Sequence, residues 1–299
     1  MNGIQRSLIG GLAVSLALVL SPAARAEDAK PAAPAPAAPA AAPAPAKPAI
    51  DARASDKDAA VPAHEKHPLD SAPPAPKGEK VELKIGDASA IAYASKPKGE
   101  PKGTVLVIHE WWGLNDWIKH EADELADLGY LALAVDLYKG QVATTPEDAG
   151  KLMGALDKEW AGKVEHAGIG WLKEKAPKHT LATIGWCMGG GQSLQASLAN
   201  ASEVAATVIY YGMPESDAGV VGKLKGGAVL GIFAKKDGWI TPDKVEAFDK
   251  ALTAAGVSHE FTSYDADHAF ANPSGGKHNP EAAKDAWKKT RAFLAAHLD

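Results

Sequence analysis

Apolar and polar positions change their period several times along this chain, and each change predicts an element. Val81–Ile85 and Ala90–Ala94 are short runs on either side of Gly86-Asp87, the pattern of an N-terminal hairpin. Thr104–His109 (TVLVIH) is continuously apolar up to its last residue, as expected of a strand buried on both faces. Asp116–Leu128 then places Ile118, Ala122, Leu125 and Leu128 at helical spacing, and Gly129 ends that helix. Leu131–Val135 is a second buried strand. A helical stretch opens near Pro146, is expected to break near Gly162, and resumes to Lys175. Thr180–Gly185 is a third buried strand, and a helix rich in small residues follows at Met188–Ala199. Val204–Tyr211 and Ala228–Ala234 read as strands, Pro242–Ala255 as a helix, His259–Tyr264 as a last strand, and Glu281–Leu298 as a terminal helix after Pro280. Strands alternating with helices predict an α/β fold, a mostly parallel central sheet with helices on both faces. In such sheets, ligands and chemistry gather at the carboxyl ends of the strands.

This pattern begins only at Val81, and composition explains why. All 8 Trp, 6 Tyr and 5 Phe lie between Tyr93 and Phe293, whereas 12 of the 21 Pro lie between Glu27 and Lys80. Arg6, the apolar run Leu8–Leu20 and the small-x-small site Ala24-Arg25-Ala26 read as an export signal over residues 1–26. That run is shorter than the ~20 residues a membrane span needs, so no span is expected after cleavage. Residues 27–80 read as a disordered Ala/Pro-rich linker, because closely spaced prolines block helices and favour extended polyproline II. Residues 81–299 are then one α/β domain, expected in the periplasm or outside the cell. The net charge of -5 argues against a nucleic-acid partner, since phosphate binders carry a basic face. His64 and His67 lie in the linker without a scaffold, and no metal site or organic cofactor is expected. The sequence is silent on oligomeric state.

One cysteine is present, so no intramolecular disulfide can form. It stands in Gly185-Trp186-Cys187-Met188-Gly189-Gly190, directly after a buried strand and directly before a helix. This is the glycine spacing of a nucleophile elbow, G-x-S-x-G, with Cys in place of Ser. The residues two before and two after the nucleophile must be small, or they collide with the neighbouring strand and helix. The helix beginning at Met188 points its positive end at the sulfur, which favours a thiolate, and the Met188 N–H can donate to an oxyanion. Such a nucleophile needs a base and an acid that orients it, following in the order nucleophile, acid, base. Asp237 stands after one later strand and His268 after the next, with Asp243, Asp265 and Asp267 as fallback acids. His268 is the histidine of this region placed after a strand end. The loop His109-Glu110-Trp111-Trp112-Gly113 follows the first buried strand, where the second oxyanion N–H is expected, near Trp111. Glu110 is expected near the thiol, and Trp111 with Trp112 forms an aromatic wall.

With these residues in order, the chain from about Val81 onward resembles the dienelactone hydrolase family of the α/β-hydrolase superfamily. The resemblance rests on His109-Glu110-Trp111-Trp112-Gly113-Leu114-Asn115, the elbow, the Asp237 turn and Asp267-His268-Ala269-Phe270. It implies a Cys187–His268–Asp237 triad that cleaves a small-molecule ester or lactone through an acyl-thioester. Met188 and Trp111 then supply oxyanion N–H groups, and Glu110 holds and helps activate the thiol. Trp186, Phe270 and Asn272 are expected at the substrate pocket. The chain departs from the family in one respect. Dienelactone-cleaving members hold the substrate carboxylate with arginine, one of them four residues after the histidine, and here that position is Asn272. Of four arginines only Arg291 lies in the folded part, so weak activity on carboxylated dienelactones is expected. The other class of function open to this sequence is a non-catalytic envelope protein that uses the same fold for binding.

Overall fold

The computed structural model describes residues 73–298. The expected export signal and the linker as far as residue 72 lie outside the described residues. Eight strands form one sheet in the order β1-β2-β4-β3-β5-β6-β7-β8. β1 (Glu79–Ile85) and β2 (Ala88–Ser95) form the expected hairpin around Gly86, whose positive φ of 59° suits a residue without Cβ. β2 then pairs antiparallel with β4 (Leu131–Val135). All other neighbours are parallel: β3 (Thr104–Ile108) lies between β4 and β5 (Leu181–Trp186), followed by β6 (Val204–Tyr210), β7 (Ala228–Ala234) and β8 (Ser258–Tyr264).

The continuous apolar runs are explained by what covers the sheet. Every residue of β3, β4, β5 and β7 is buried. On β3, Val105 and Val107 join the core beneath α1 (Asp116–Asp127) and α7 (Pro280–Leu298), with Ile118, Trp287 and Leu294. Leu106 and Ile108 point the other way, into a second core with Val164, Ile169 and Leu172 of α3 (Lys158–Lys175). A third cluster on this second face packs α4 (Met188–Ala199) and α6 (Pro242–Ala255) through Leu194, Phe248 and Leu252. Each such side chain removed from water contributes ~1.5–3 kcal/mol, so the two-sided cover determines which runs become strands.

Three boundaries differ from expectation. β1 begins at Glu79, and the Lys77 backbone N–H already donates to Asp123 Oδ2 at 2.9 Å, so the last residues assigned to the linker belong to the fold. The helical stretch breaks not at Gly162 but before Asp157, between α2 (Pro146–Gly154) and α3. Asp157 caps α3 by accepting from Glu159 N at 2.9 Å and Trp160 N at 3.2 Å, while Gly162 is carried inside the helix. A short helix α5 (Ala218–Val221) and a 3-10 turn (Gly222–Leu224) join β6 to β7, with no clear signal in the sequence. No helix among the described residues is long and apolar enough to cross a membrane.

The sheet-facing side of α3 carries one acid, Glu165, which is buried with no hydrogen-bond partner at Oε1. Burial pushes its pKa up to about 8. A carboxyl whose folded pKa is raised stabilises the fold most below its unfolded pKa of about 4.3, and that contribution is lost as pH rises through the folded value. Glu165→Gln carries no charge to bury. It is expected to melt with wild type at about pH 4 and to exceed it by a few kcal/mol at about pH 9. A stability difference independent of pH, read by thermal melts, would contradict this.

Candidate active site

The strand order reverses at β3: β4 lies on one side of it and β5 on the other, so the loops leaving β3 and β5 diverge and open a crevice. Cys187 stands there, between β5 and α4, with φ 56° and ψ -119°. A non-glycine residue at such angles costs on the order of 1–3 kcal/mol and must be held by its surroundings. The turn is held by Cys187 N–H donating to Tyr210 O at 3.0 Å and by Gly190 N–H donating to Cys187 O at 3.1 Å. The flanking glycines are required by close approach. A Cβ on Gly185 would lie 2.0 Å from Gly189 O, and one on Gly189 would lie 2.3 Å from Ile108 O. The elbow therefore presses its helix onto β3, bringing Sγ to the loop after that strand.

That loop is fixed by His109, which is buried and held neutral by burial. Leu137 N–H donates to its Nε2 at 3.1 Å, which leaves the proton on Nδ1, 2.6 Å from Glu110 O. The following N–H, of Trp111, is directed at Cys187 Sγ together with that of Met188. Glu110 is buried, and Asn272 Nδ2 donates to its Oε2 at 2.5 Å. Burial pushes the Glu110 pKa up to about 7, against the lowering effects of Asn272, His268 and the Tyr211 hydroxyl. A cavity of about 10 Å³ lined by Glu110, Glu121, Trp186 and Asn272 lies behind it.

On the other side of the thiol, His268 Nε2 lies 3.1 Å from Cys187 Sγ, and its Nδ1 lies 2.6 Å from Asp237 Oδ2. Asp237 Oδ1 accepts from Trp239 N at 2.8 Å and Ile240 N at 3.0 Å. Burial alone would raise the Asp237 pKa, but the hydrogen bonds from His268, Ile240 and Trp239 overcome it and hold the carboxyl below its ordinary value. The fallback acids are elsewhere: Asp265 pairs with Lys236 at 3.1 Å, Asp267 faces Lys277 at 4.0 Å, and Asp243 sits in the first turn of α6.

The structure thus brings Cys187, His268, Asp237, Glu110, Trp111 and Met188 together. Burial, with the charges of Glu110 and Asp237, pushes the Cys187 thiol up to about 12, and the N–H groups of Met188 and Trp111 do not reverse this. Burial thus works against the thiolate that the helix dipole favours. Trp186 is buried against Tyr210, ring centroids 5.3 Å apart, and lines the small cavity behind Glu110, while Phe270 is buried in the core between Tyr211 and Tyr264. Asn272 is also buried, and its Oδ1 accepts from Ser274 N and Oγ. Both ends of its amide serve the protein. Trp112, expected in the aromatic wall, is half-buried beside Trp111, with ring centroids 5.1 Å apart.

Sequence reasoning missed Tyr211, which is buried with φ 38° and has its ring 5.1 Å from that of His268. It also missed Trp239, whose ring lies 5.4 Å from His268. A groove of about 830 Å³ between the β1–β2 turn and α3 contains none of these residues. Among the described residues, no three His, Cys, Asp or Glu side chains are grouped so as to hold a metal ion.

A mostly parallel sheet with a strained cysteine after its central strands, and with acid and histidine on later loops, defines a hydrolase of the α/β-hydrolase class. The chain belongs to the dienelactone hydrolase family, whose sequence profile matches residues 91–298. It is 33% identical over 232 residues to the protein usf of Aquifex pyrophilus, covering 74% of this chain and 99% of that one. It is 32% identical, over the same length and shares, to an Aquifex aeolicus protein provisionally named carboxymethylenebutenolidase. A crystal structure provisionally named a dienelactone hydrolase, from Klebsiella pneumoniae, superposes with a TM-score of 0.67 at 26% identity, covering 74% of this chain and 98% of that one.

Proposed function

We propose that this protein is an exported, cysteine-dependent hydrolase of esters or lactones that works through an acyl-thioester. The observation that carries this reading is the line of hydrogen bonds from Asp237 Oδ2 through His268 to Cys187 Sγ, with two backbone N–H groups directed at the sulfur. Export rests on Arg6, the apolar run Leu8–Leu20 and the site Ala24-Arg25-Ala26.

In this mechanism Sγ attacks the carbonyl carbon as its proton passes to His268 Nε2. Asp237 holds the Nδ1–H tautomer and stabilises the imidazolium that forms. The carbonyl oxygen becomes an oxyanion held by Met188 and Trp111 N–H. The C–O bond to the alcohol breaks, and His268 returns the proton to the leaving oxygen. Water then gives a proton to His268 and attacks the thioester, releasing the acid and restoring the thiol. Glu110, neutral in part near pH 7, lets negative charge develop on sulfur without a full opposing charge beside it. No metal or organic cofactor enters any step. Carboxylated dienelactones are poor substrates in this reading, because Asn272 is committed to Glu110 and Ser274.

Alkylation tests the reading. One equivalent of iodoacetamide is expected to react at Cys187 and to abolish ester turnover in proportion. The raised thiol pKa makes that reaction slower at neutral pH than with free cysteine. Full ester turnover after complete alkylation would exclude Cys187 as nucleophile.

A further inference from the structure

Four large hydrophobic side chains are exposed among the described residues, and three of them stand on loops at the carboxyl ends of strands: Val142 at 47%, Met213 at 52% and Trp239 at 59%. Singly exposed apolar side chains are common, but these three share the end of the sheet at which ligands gather in such folds. The sheet order divides them. Val142 follows β4, and Ala143 N–H beside it donates to Trp112 O at 2.9 Å, so it joins Trp111 and Trp112 on the β3 side of the thiol. Met213 follows β6, and its backbone N would lie 3.3 Å from a Cβ on Gly191, over the first turn of α4. Trp239 follows β7, and its ring is edge-on to His268 at 5.4 Å. β6 lies between β5 and β7, so Met213 and Trp239 border the His268 side of Sγ.

Charge points the same way. The lysines on the β7 and β8 loops are turned to other partners: Lys236 to Asp265, Lys277 to Asp267, and Lys235 to a separate hollow with Glu246 and Asp249. Arg291, the one arginine among the described residues, lies in α7. Glu110 lies near the thiol, and Asp237 stands behind His268; the charge of each opposes a negative charge on sulfur. At the Trp239 loop the Lys244 ammonium is engaged by Trp239 O at 2.6 Å, and a substrate carboxylate there finds no guanidinium to grip it in two-pronged fashion.

We infer that Trp239 and Met213 wall a subsite for the leaving group, and that this subsite selects uncharged aryl alcohols over alcohols that carry a carboxylate. The inference rests on the proposed roles of Cys187 and His268. His268 delivers its proton to the leaving oxygen, so the group attached to that oxygen lies on the His268 side, beside Trp239. The acyl group then falls on the Trp111–Trp112 side, and the two halves of the substrate are read by different loops.

Acetate esters that share one acyl group and differ in the alcohol test this. Trp239→Ala is expected to lower kcat/KM for phenyl acetate roughly tenfold and to change that for methyl acetate by less than about twofold. Trp239→Phe should recover most of the loss. Hydrolysis of the acetyl-enzyme, common to all these esters, should keep its rate. Wild type should handle 4-carboxyphenyl acetate roughly tenfold less well than phenyl acetate, with the gap narrowing as salt rises. An equal loss for phenyl and methyl acetate in Trp239→Ala, or a carboxyphenyl ester as good as the phenyl ester, would overturn the subsite. Binding of acetophenone, an uncleavable ketone, followed by NMR titration, separates this from the reaction mechanism. If turnover survives Cys187→Ala, the mechanism fails. The subsite still stands if acetophenone binds more tightly than 4-acetylbenzoate and weakens in Trp239→Ala, and it falls if either difference is absent.

Discussion

Cys187→Ala is expected to lower kcat/KM for an aryl ester by about 10⁴-fold or more while changing stability by no more than about 1 kcal/mol. The size follows from what is removed. Sγ is the one thiol in the chain and the atom toward which His268 Nε2 and two backbone N–H groups converge. Without it, the oxyanion donors can polarise a bound carbonyl but nothing attacks it, and removal of a nucleophile elsewhere leaves only such residual catalysis. Alanine tolerates the backbone angles of Cys187 no worse than cysteine does, so the elbow should persist. Steady-state rates on phenyl acetate, with a thermal melt of the same sample, check both halves. A loss of less than about tenfold would mean that another group attacks the ester.

Asp237→Asn is the second large effect, a fall in kcat/KM of about 10³–10⁴. Trp239 and Ile240 N–H groups can still donate to the remaining carbonyl oxygen, so the turn should hold. The amide NH₂ in place of Oδ2 would donate to His268 Nδ1 and drive the imidazole proton onto Nε2, facing Sγ. In that tautomer His268 cannot accept the thiol proton. Asp265→Asn and Asp267→Asn should each change kcat/KM by less than about threefold, since those acids face lysines. A large loss in either one, with Asp237→Asn active, would reassign the orienting acid.

The fold was legible where burial is two-sided. β3, β4 and β7 are continuous apolar runs because core lies above and below them, and their pattern depends little on the rest of the chain. The elbow was legible because glycine spacing records a backbone clash, the 2.0 Å approach at Gly185. The helix break was misplaced because glycine carries a helix penalty of only ~1 kcal/mol, which packing of α3 overrides, whereas Asp157 supplies a start signal. Trp186 and Phe270 were assigned to the pocket because they adjoin site residues in sequence. Their burial depends on register, since Trp186 pairs with Tyr210 across β5 and β6. Asn272 could not be read as the partner of Glu110 from two positions 162 residues apart.

The state of the thiol is the instructive miss. A helix N-terminus favours an anion by ~0.3–1 kcal/mol, up to ~2 when buried. Burial moves a pKa by several units at ~1.4 kcal/mol each, and here two carboxyls add to it. The larger effect wins, and the Cys187 pKa is raised rather than lowered.

The most direct test of this account is rapid acid quench of the protein mixed with excess phenyl butyrate, followed by intact-mass analysis and peptide mapping. The account predicts one butyryl group per chain, on the peptide that contains Cys187, formed together with a burst of phenol and absent from Cys187→Ala. Steady release of phenol without any acylated peptide, or a butyryl group on another residue, would contradict it.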